Sequence, residues 1–162
     1  QSALDGGHTV RFRPHPESFK RSMLTINNLI KKFSNKKFIL DETSENIYSM
    51  EKAKCLITDN SGIAIEFVLL FKRPTLYFED IDKIHNTEFD NYKNLITIDQ
   101  KVKDTFGYTF RYENIKDLNT LISKSIVEFT NKDVEIKNFI EDNFYNYGTT
   151  VKNFNDLINR GI

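Results

Sequence analysis

The chain has 162 residues, of which 39% are hydrophobic and 28% are charged, and its formal net charge is zero. This length suits one domain with its own hydrophobic core, and the charge balance gives no support for long-range attraction to nucleic acid or to an anionic membrane. The single cysteine, Cys55, excludes an internal disulfide and favours a reducing, cytoplasmic setting. No apolar run approaches the roughly 20 residues that span a bilayer.

The first residues have the pattern of a helix end. The run from Ser2 to Gly7 closes with two glycines, which commonly stop helices. Because the beginning of that helix is absent and Gln1 is not Met, we expect the C-terminal part of a longer protein. The alternative is that Gln1 follows a removed tag or leader.

Strands and helices alternate in the first half of the chain. A strand–helix–strand alternation favours parallel pairing, so the pattern predicts an α/β fold with a Rossmann-like, doubly wound parallel sheet. The expected strands are residues 8–13, 36–40, 55–57 and 75–78, and the expected helices are 18–32, 47–53 and 63–71.

The second half is expected to add mostly helices to this single domain, which spans 1–162. The predicted elements are an irregular connection over 79–94, a strand or extended piece at 95–98, a strand at 107–111, helices over 115–129 and 136–144, and a last helix that Thr150 caps and Gly161 ends.

The tetrapeptide Arg13-Pro14-His15-Pro16 directly follows the first predicted strand, so it should lie at the carboxyl edge of the sheet. The two prolines restrict the backbone around His15. An imidazole held beside Arg13 suits a phosphate or a leaving pyrophosphate. The alternative is an ordinary strand-to-helix turn with a partly exposed histidine.

A second candidate site is the polar turn Thr58-Asp59-Asn60-Ser61-Gly62, which follows the third strand. Ser61 is a favourable N-cap, and Gly62 would let a ligand approach the free amides of the next helix, which bind phosphate readily. The alternative is capping without a ligand.

The helix over 63–71 is apolar on every side except at Glu66, so we expect it to be buried all round. A carboxylate in such a place needs a partner. Glu66 could accept hydrogen bonds from the vicinal hydroxyls of a ribose, or it could pair internally with Arg73. Together, Glu66, His15 and Ser61 would form a binding site for a nucleoside diphosphate.

No metal site is predicted. His8 and His85 lack ligand spacing to any other histidine or cysteine. The acidic run 79–82 is more typical of a solvated loop than of a cation site, and the aromatic run 144–148 is more typical of a packed helix end than of a binding cleft.

The order and spacing of these motifs resemble the CDP-glycerol glycerophosphotransferases, teichoic-acid and capsule polymerases with the GT-B fold. The resemblance covers residues 8–160. The family's usual turn reads TDYSS, whereas this chain has Asn60 and Gly62 in that turn. Related nucleotide sugars are therefore alternative donors. The residues that carry it are Arg13-Pro14-His15-Pro16, the run from Ile57 to Gly62, and the run from Lys72 to Tyr77.

The resemblance implies the donor-binding half of a two-domain enzyme that works in the cytoplasm, at the inner face of the membrane. It implies CDP-glycerol or a related donor, a polymer acceptor bound through the missing N-terminal half, and neither a cofactor nor a metal here. The implied roles are catalysis for Arg13 and His15, phosphate binding for Thr58, Asp59, Asn60, Ser61 and Gly62, and, by similarity to UDP-N-acetylglucosamine 2-epimerases, ribose binding for Glu66.

Two other functions remain open at this point. One is a GT-B glycosyltransferase or epimerase that uses a UDP- or CMP-linked sugar. The other is a non-catalytic α/β module that mediates assembly and binds no nucleotide.

Overall fold

The structure, a computed structural model, describes residues 1–34, 37–43, 45–79 and 95–160. The strands in this part of the chain are β1 (Val10–Phe12), β2 (Phe38–Leu40), β3 (Leu56–Thr58), β4 (Thr75–Phe78) and β5 (Gly107–Phe110). The helices are α1 (Ser2–Asp5), α2 (Pro16–Arg21), α3 (Met23–Phe33), α4 (Ile47–Lys52), α5 (Ile63–Phe71), α6 (Ile98–Phe106), α7 (Leu118–Phe129), α8 (Asp133–Asn143) and α9 (Thr150–Asn159), with a 3₁₀ segment at Tyr112–Asp117.

All strand pairs among the described residues are parallel, which confirms the predicted α/β class. The strands form two small sheets, however, where the sequence led us to expect one. β1 pairs with β2, and β4 lies between β3 and β5. The two sheets meet through side chains, because Val10 of β1 packs against the apolar cluster that contains Leu76 of β4.

The three-stranded sheet is covered by helices on both faces. On one face, Leu76 and Phe110 pack against α1 and α7. On the other, Tyr77 lies against α6, where its ring approaches Gly107. The central strand β4 is therefore almost wholly buried, which explains why its sequence is a nearly continuous apolar run. A second apolar cluster joins α5, α6, α7 and α8 around Val68, Val102 and Ile136.

Several predicted elements have the expected bounds, and others differ. The bounds of α5 and β4 match the prediction, whereas the expected helix over 18–32 is two helices that break at Ser22, whose φ is −136°. The helix expected from residue 115 begins with the 3₁₀ segment, and its regular part starts at Leu118.

The sequence suggested a strand or extended piece at 95–98, but residues 95–97 lie in no strand or helix, and α6 begins at Ile98. Ile98, Val102 and Phe106 recur at every fourth position, and Thr97 caps the helix by accepting a hydrogen bond from the amide of Gln100. This spacing was the signal that pattern reading missed.

At the C-terminal end, Thr149 occupies the N-cap position of α9, where the sequence suggested Thr150. The apolar side chains of α9 are exposed, and no described helix is long and apolar enough to cross a membrane. Of the predicted connection over 79–94, only Glu79 is described, so the rest of the acidic run 79–82 and His85 lie outside the described residues, as does the predicted helix stop at Gly161.

Candidate functional site

His15 lies between β1 and α2 and serves as the N-cap of that helix. Its Nδ1 accepts a hydrogen bond from the amide of Glu17 at 3.2 Å, and Pro16 is the first helical residue. Because Nδ1 is the acceptor, the proton of the neutral imidazole is on Nε2. The side chain is exposed, so Nε2–H is available to a partner outside the domain. The local geometry is that of a strand-to-helix turn.

Arg13 is tied to the loop that follows β2. Its Nη1 donates to Asp41 Oδ2 at 3.2 Å and to Thr43 Oγ1 at 3.0 Å, and its Nη2 donates to the Thr43 carbonyl at 2.6 Å. The register between β1 and β2 pairs Phe12 with Leu40, which brings Arg13 and Asp41 together at the same edge. Arg13 therefore joins the carboxyl ends of both strands.

Asp41 is the acceptor at the centre of this polar cluster, and sequence reading did not single it out. Its side chain is 0% exposed. Burial opposes its ionisation, but hydrogen bonds from Ser49, Thr43 and Arg13 together lower its pKa from 3.8 to about 2. The available signal was its position directly after β2, level with Arg13.

The turn after β3 leads into an uncapped helix. The amide of Ser61 donates to the Asp59 carbonyl at 2.8 Å, so Ser61 still belongs to the turn and Gly62 occupies the N-cap position of α5. The prediction of Ser61 as the N-cap was therefore wrong. Within the described part of the chain, no side chain caps α5, and the amides of Gly62 and Ile63 donate to no other residue.

The described residues leave the space around this turn open. Ser61 and Gly62 are exposed, and a Cβ atom added at Gly62 would meet no described residue within 4 Å. Thr58, the last residue of β3, is half-buried beside Tyr77, and Asp59 is also half-buried. As far as the described residues go, the N–H groups of the first turn of α5 therefore have no acceptor and no neighbour in front of them.

Lys103 of α6 reaches the same edge of the sheet, and sequence reading missed it. Its Nζ contacts Glu79 Oε1 at 2.8 Å and Asn60 Oδ1 at 3.1 Å, and lies 5.4 Å from the centre of the Tyr77 ring. The exposed fractions of the side chains are 14% for Lys103 and 27% for Glu79. Lys103 thus links the turn after β3 to the end of β4.

Glu66 is exposed on the first turn of α5, so the prediction of a helix buried on all sides was wrong. Leu70, one turn further along, is exposed as well, because the described elements cover only the other side of α5. The alternative partner, Arg73, donates instead to the carbonyls of Glu51 and Ala53 at the end of α4, each at 2.6 Å.

The structure brings some predicted residues together and leaves others apart. Asn60, Ser61, Gly62 and Glu66 share the turn and the first turn of α5, whereas Arg13 and His15 lie at the edge of the two-stranded sheet. No hydrogen bond among the described residues joins His15 to Ser61 or to Glu66.

Two surface depressions lie elsewhere. One, of about 640 Å³, lies on α7, and the other, of about 220 Å³, lies beside Lys54 and Pro74 at the amino ends of β3 and β4. Cys55, which belongs to the expected strand at 55–57, lies half-buried just before β3, and burial raises the pKa of its thiol to about 11.

The described residues include no group of three histidine, cysteine or acidic side chains arranged to hold a metal ion. No family model, curated protein or solved structure matches this chain. The resemblance to the glycerophosphotransferases therefore stays a prediction, which depends on the motifs and their positions.

Proposed function

We propose that this chain binds a nucleoside-diphosphate-linked donor, with CDP-glycerol as the preferred one, as the donor-binding half of a glycerophosphotransferase that extends a cell-surface polymer. The observation that carries the proposal is the N-terminus of α5, which no described side chain caps and which lies behind an exposed turn. Free amides and the positive end of the helix dipole favour a phosphate there.

Glu66 supports a nucleotide in particular. It is exposed one turn beyond the free amides, and the described residues give it no ion pair. A carboxylate at that distance from a bound phosphate can accept hydrogen bonds from the two hydroxyls of a ribose. Arg73, the alternative partner predicted for Glu66, donates hydrogen bonds to the carbonyls at the end of α4 instead.

His15 would act on the leaving group. In the proposed reaction, an acceptor hydroxyl attacks the β-phosphorus, the bond from that phosphorus to the bridging oxygen breaks, and CMP leaves. Nε2–H of His15 would stabilise the negative charge that develops on the leaving phosphate. Arg13 would support the reaction through the loop that it holds beside Asp41. The base that activates the acceptor would come from outside this chain.

A thermal-shift screen tests the binding step. The chain would be heated with CDP-glycerol, CDP-ribitol, UDP-N-acetylglucosamine or CMP, and we expect CDP-linked polyols to raise the melting temperature most. Selective stabilisation by a UDP-sugar would instead favour a glycosyltransferase or epimerase. No shift with any nucleotide would favour a non-catalytic module.

The role of His15 can be separated from its capping bond. His15→Asn keeps an N-cap acceptor but removes Nε2–H, so we expect the full-length protein to fold normally and lose turnover. The control is His8→Ala, which replaces a histidine that lies before β1 and should keep normal turnover. Near-normal turnover of purified His15→Asn would refute the assigned role.

A further inference from the structure

Asp41, directly after β2, is the centre of a buried cluster of hydrogen bonds. Its side chain is 0% exposed and accepts from the hydroxyls of Thr43 and Ser49, from the amide of Thr43 and from Arg13. Ser49 belongs to α4, so the cluster joins the loop after β2 to that helix as well as to the end of β1. The carboxylate therefore lies in a fixed place, and a side chain bound to it is fixed as well.

The guanidinium of Arg13 is held on one side only. A guanidinium has five N–H donors in a planar fork. Nη1 donates to Asp41 and to the Thr43 hydroxyl, and Nη2 donates to the Thr43 carbonyl. Among the described residues, the second N–H of Nη2 and the N–H of Nε have no acceptor. The side chain of Arg13 is 30% exposed, so the group that buried Asp41 holds still reaches the surface.

The two remaining donors of Arg13 are on adjacent nitrogens, a spacing that suits two oxygens of one phosphate. Arg13 also lies two residues before His15, whose Nε2–H is available in the same strand-to-helix turn. Pro14 separates them, and its ring restricts the backbone between the two side chains. The end of β1 thus presents donors from both residues at one edge of the sheet.

From this arrangement we infer that Asp41 is a positioning residue of the proposed reaction, which holds Nη1 of Arg13 so that the N–H groups of Nε and Nη2 stay available to the leaving phosphate. This inference rests on the function proposed above. It gives a part in donor binding to a buried carboxylate that the family resemblance does not mark, and it makes the phosphate contact of Arg13 depend on that carboxylate.

The test is a double-mutant cycle on the affinity for CDP, measured by calorimetric titration of this chain. Arg13→Met removes the guanidinium, so CDP should bind at least about tenfold more weakly. Asp41→Asn removes the charge that holds Nη1, so CDP should bind at least about fivefold more weakly. Once Arg13 is Met, the added Asp41→Asn should change the affinity by less than about twofold, because the group that Asp41 positions is gone.

Two further variants support the cycle. Arg13→Lys keeps a positive charge beside Asp41 but lacks paired N–H groups, so it should also weaken CDP binding. Asp133→Asn makes the same chemical change as Asp41→Asn in an exposed ion pair with Lys72, and it should leave the affinity for CDP unchanged. Titration well below the lowest melting temperature of the set ensures that every variant is folded.

The possible outcomes separate the two proposals. If the unaltered chain binds CDP and Asp41→Asn binds it equally well, the inference is overturned and the proposed function stands. The inference is also overturned if Asp41→Asn weakens binding by the same factor whether residue 13 is Arg or Met, because Asp41 would then act only on the fold. If the unaltered chain binds no nucleotide, both proposals fail.

Discussion

Replacement of Asp41 by asparagine should destabilise the domain in a pH-dependent manner. The pKa of Asp41 falls from 3.8 to about 2 because Ser49, Thr43 and Arg13 donate to the ionised carboxylate, which outweighs the cost of its burial. One unit of pKa difference between the folded and unfolded states corresponds to about 1.4 kcal/mol, so the ionised group stabilises the fold by about 2 kcal/mol at neutral pH.

The pH dependence follows from the sign of this change. A lowered pKa in the folded state means that the stabilisation is complete above the ordinary value of 3.8 and is lost as the pH falls toward 2. At pH 3, about half of it should remain. The amide that replaces the carboxylate would carry no charge at any pH, so the difference between the two proteins should shrink as the solution becomes acidic.

Urea unfolding at pH 7, 5 and 3 measures this difference. We expect Asp41→Asn to lower the free energy of unfolding by about 2 kcal/mol at pH 7 and by about 1 kcal/mol at pH 3. Asp133→Asn is the control, because its ion pair with Lys72 is exposed and should contribute less than about 1 kcal/mol. A difference for Asp41→Asn that stays constant over this range would refute the reasoning.

Two further substitutions test how the site is supported. Gly107→Ala would place a Cβ atom 2.5 Å from the Lys103 carbonyl and 2.7 Å from the Tyr77 ring. Urea unfolding should therefore show that the free energy of unfolding falls by about 1–3 kcal/mol. The control, Gly62→Ala, should leave this free energy nearly unchanged. Arg73→Met removes the donor to the last carbonyls of α4 and should lower the free energy of unfolding by about 1–2 kcal/mol. The control is Lys137→Met, at an exposed lysine. If Arg73→Met lowers the free energy of unfolding by less than this control does, the role of Arg73 is contradicted.

The candidate site combines features that the sequence predicted with contacts that it did not. The positions of His15 and of the turn at 58–62 after parallel strands followed from local patterns. The amides of Gly62 and Ile63 have no acceptor among the described residues, because the turn continues through Ser61 and no described side chain caps the helix. A pattern that favours serine as an N-cap cannot detect this shift of one residue.

Errors in the predicted burial have a similar origin. The apolar sequence of α5 suggested burial on all sides, yet Glu66 and Leu70 are exposed because the described neighbours cover only one side of the helix. Likewise, the separation into two sheets reflects how β1 meets the second sheet, through Val10 and not through a ladder of hydrogen bonds.

Local sequence patterns predicted the parallel α/β class, most of the helices, the bounds of β4 and the polar turns that follow β1 and β3. These features depend on residues within a few positions of each other, so apolar spacing and turn residues reveal them. The contacts of Arg13 with Asp41 and of Lys103 with Asn60 depend instead on the tertiary structure. These partners are 28 and 43 residues apart. They meet because strand register and helix packing bring distant side chains to one edge, and no local pattern encodes that geometry.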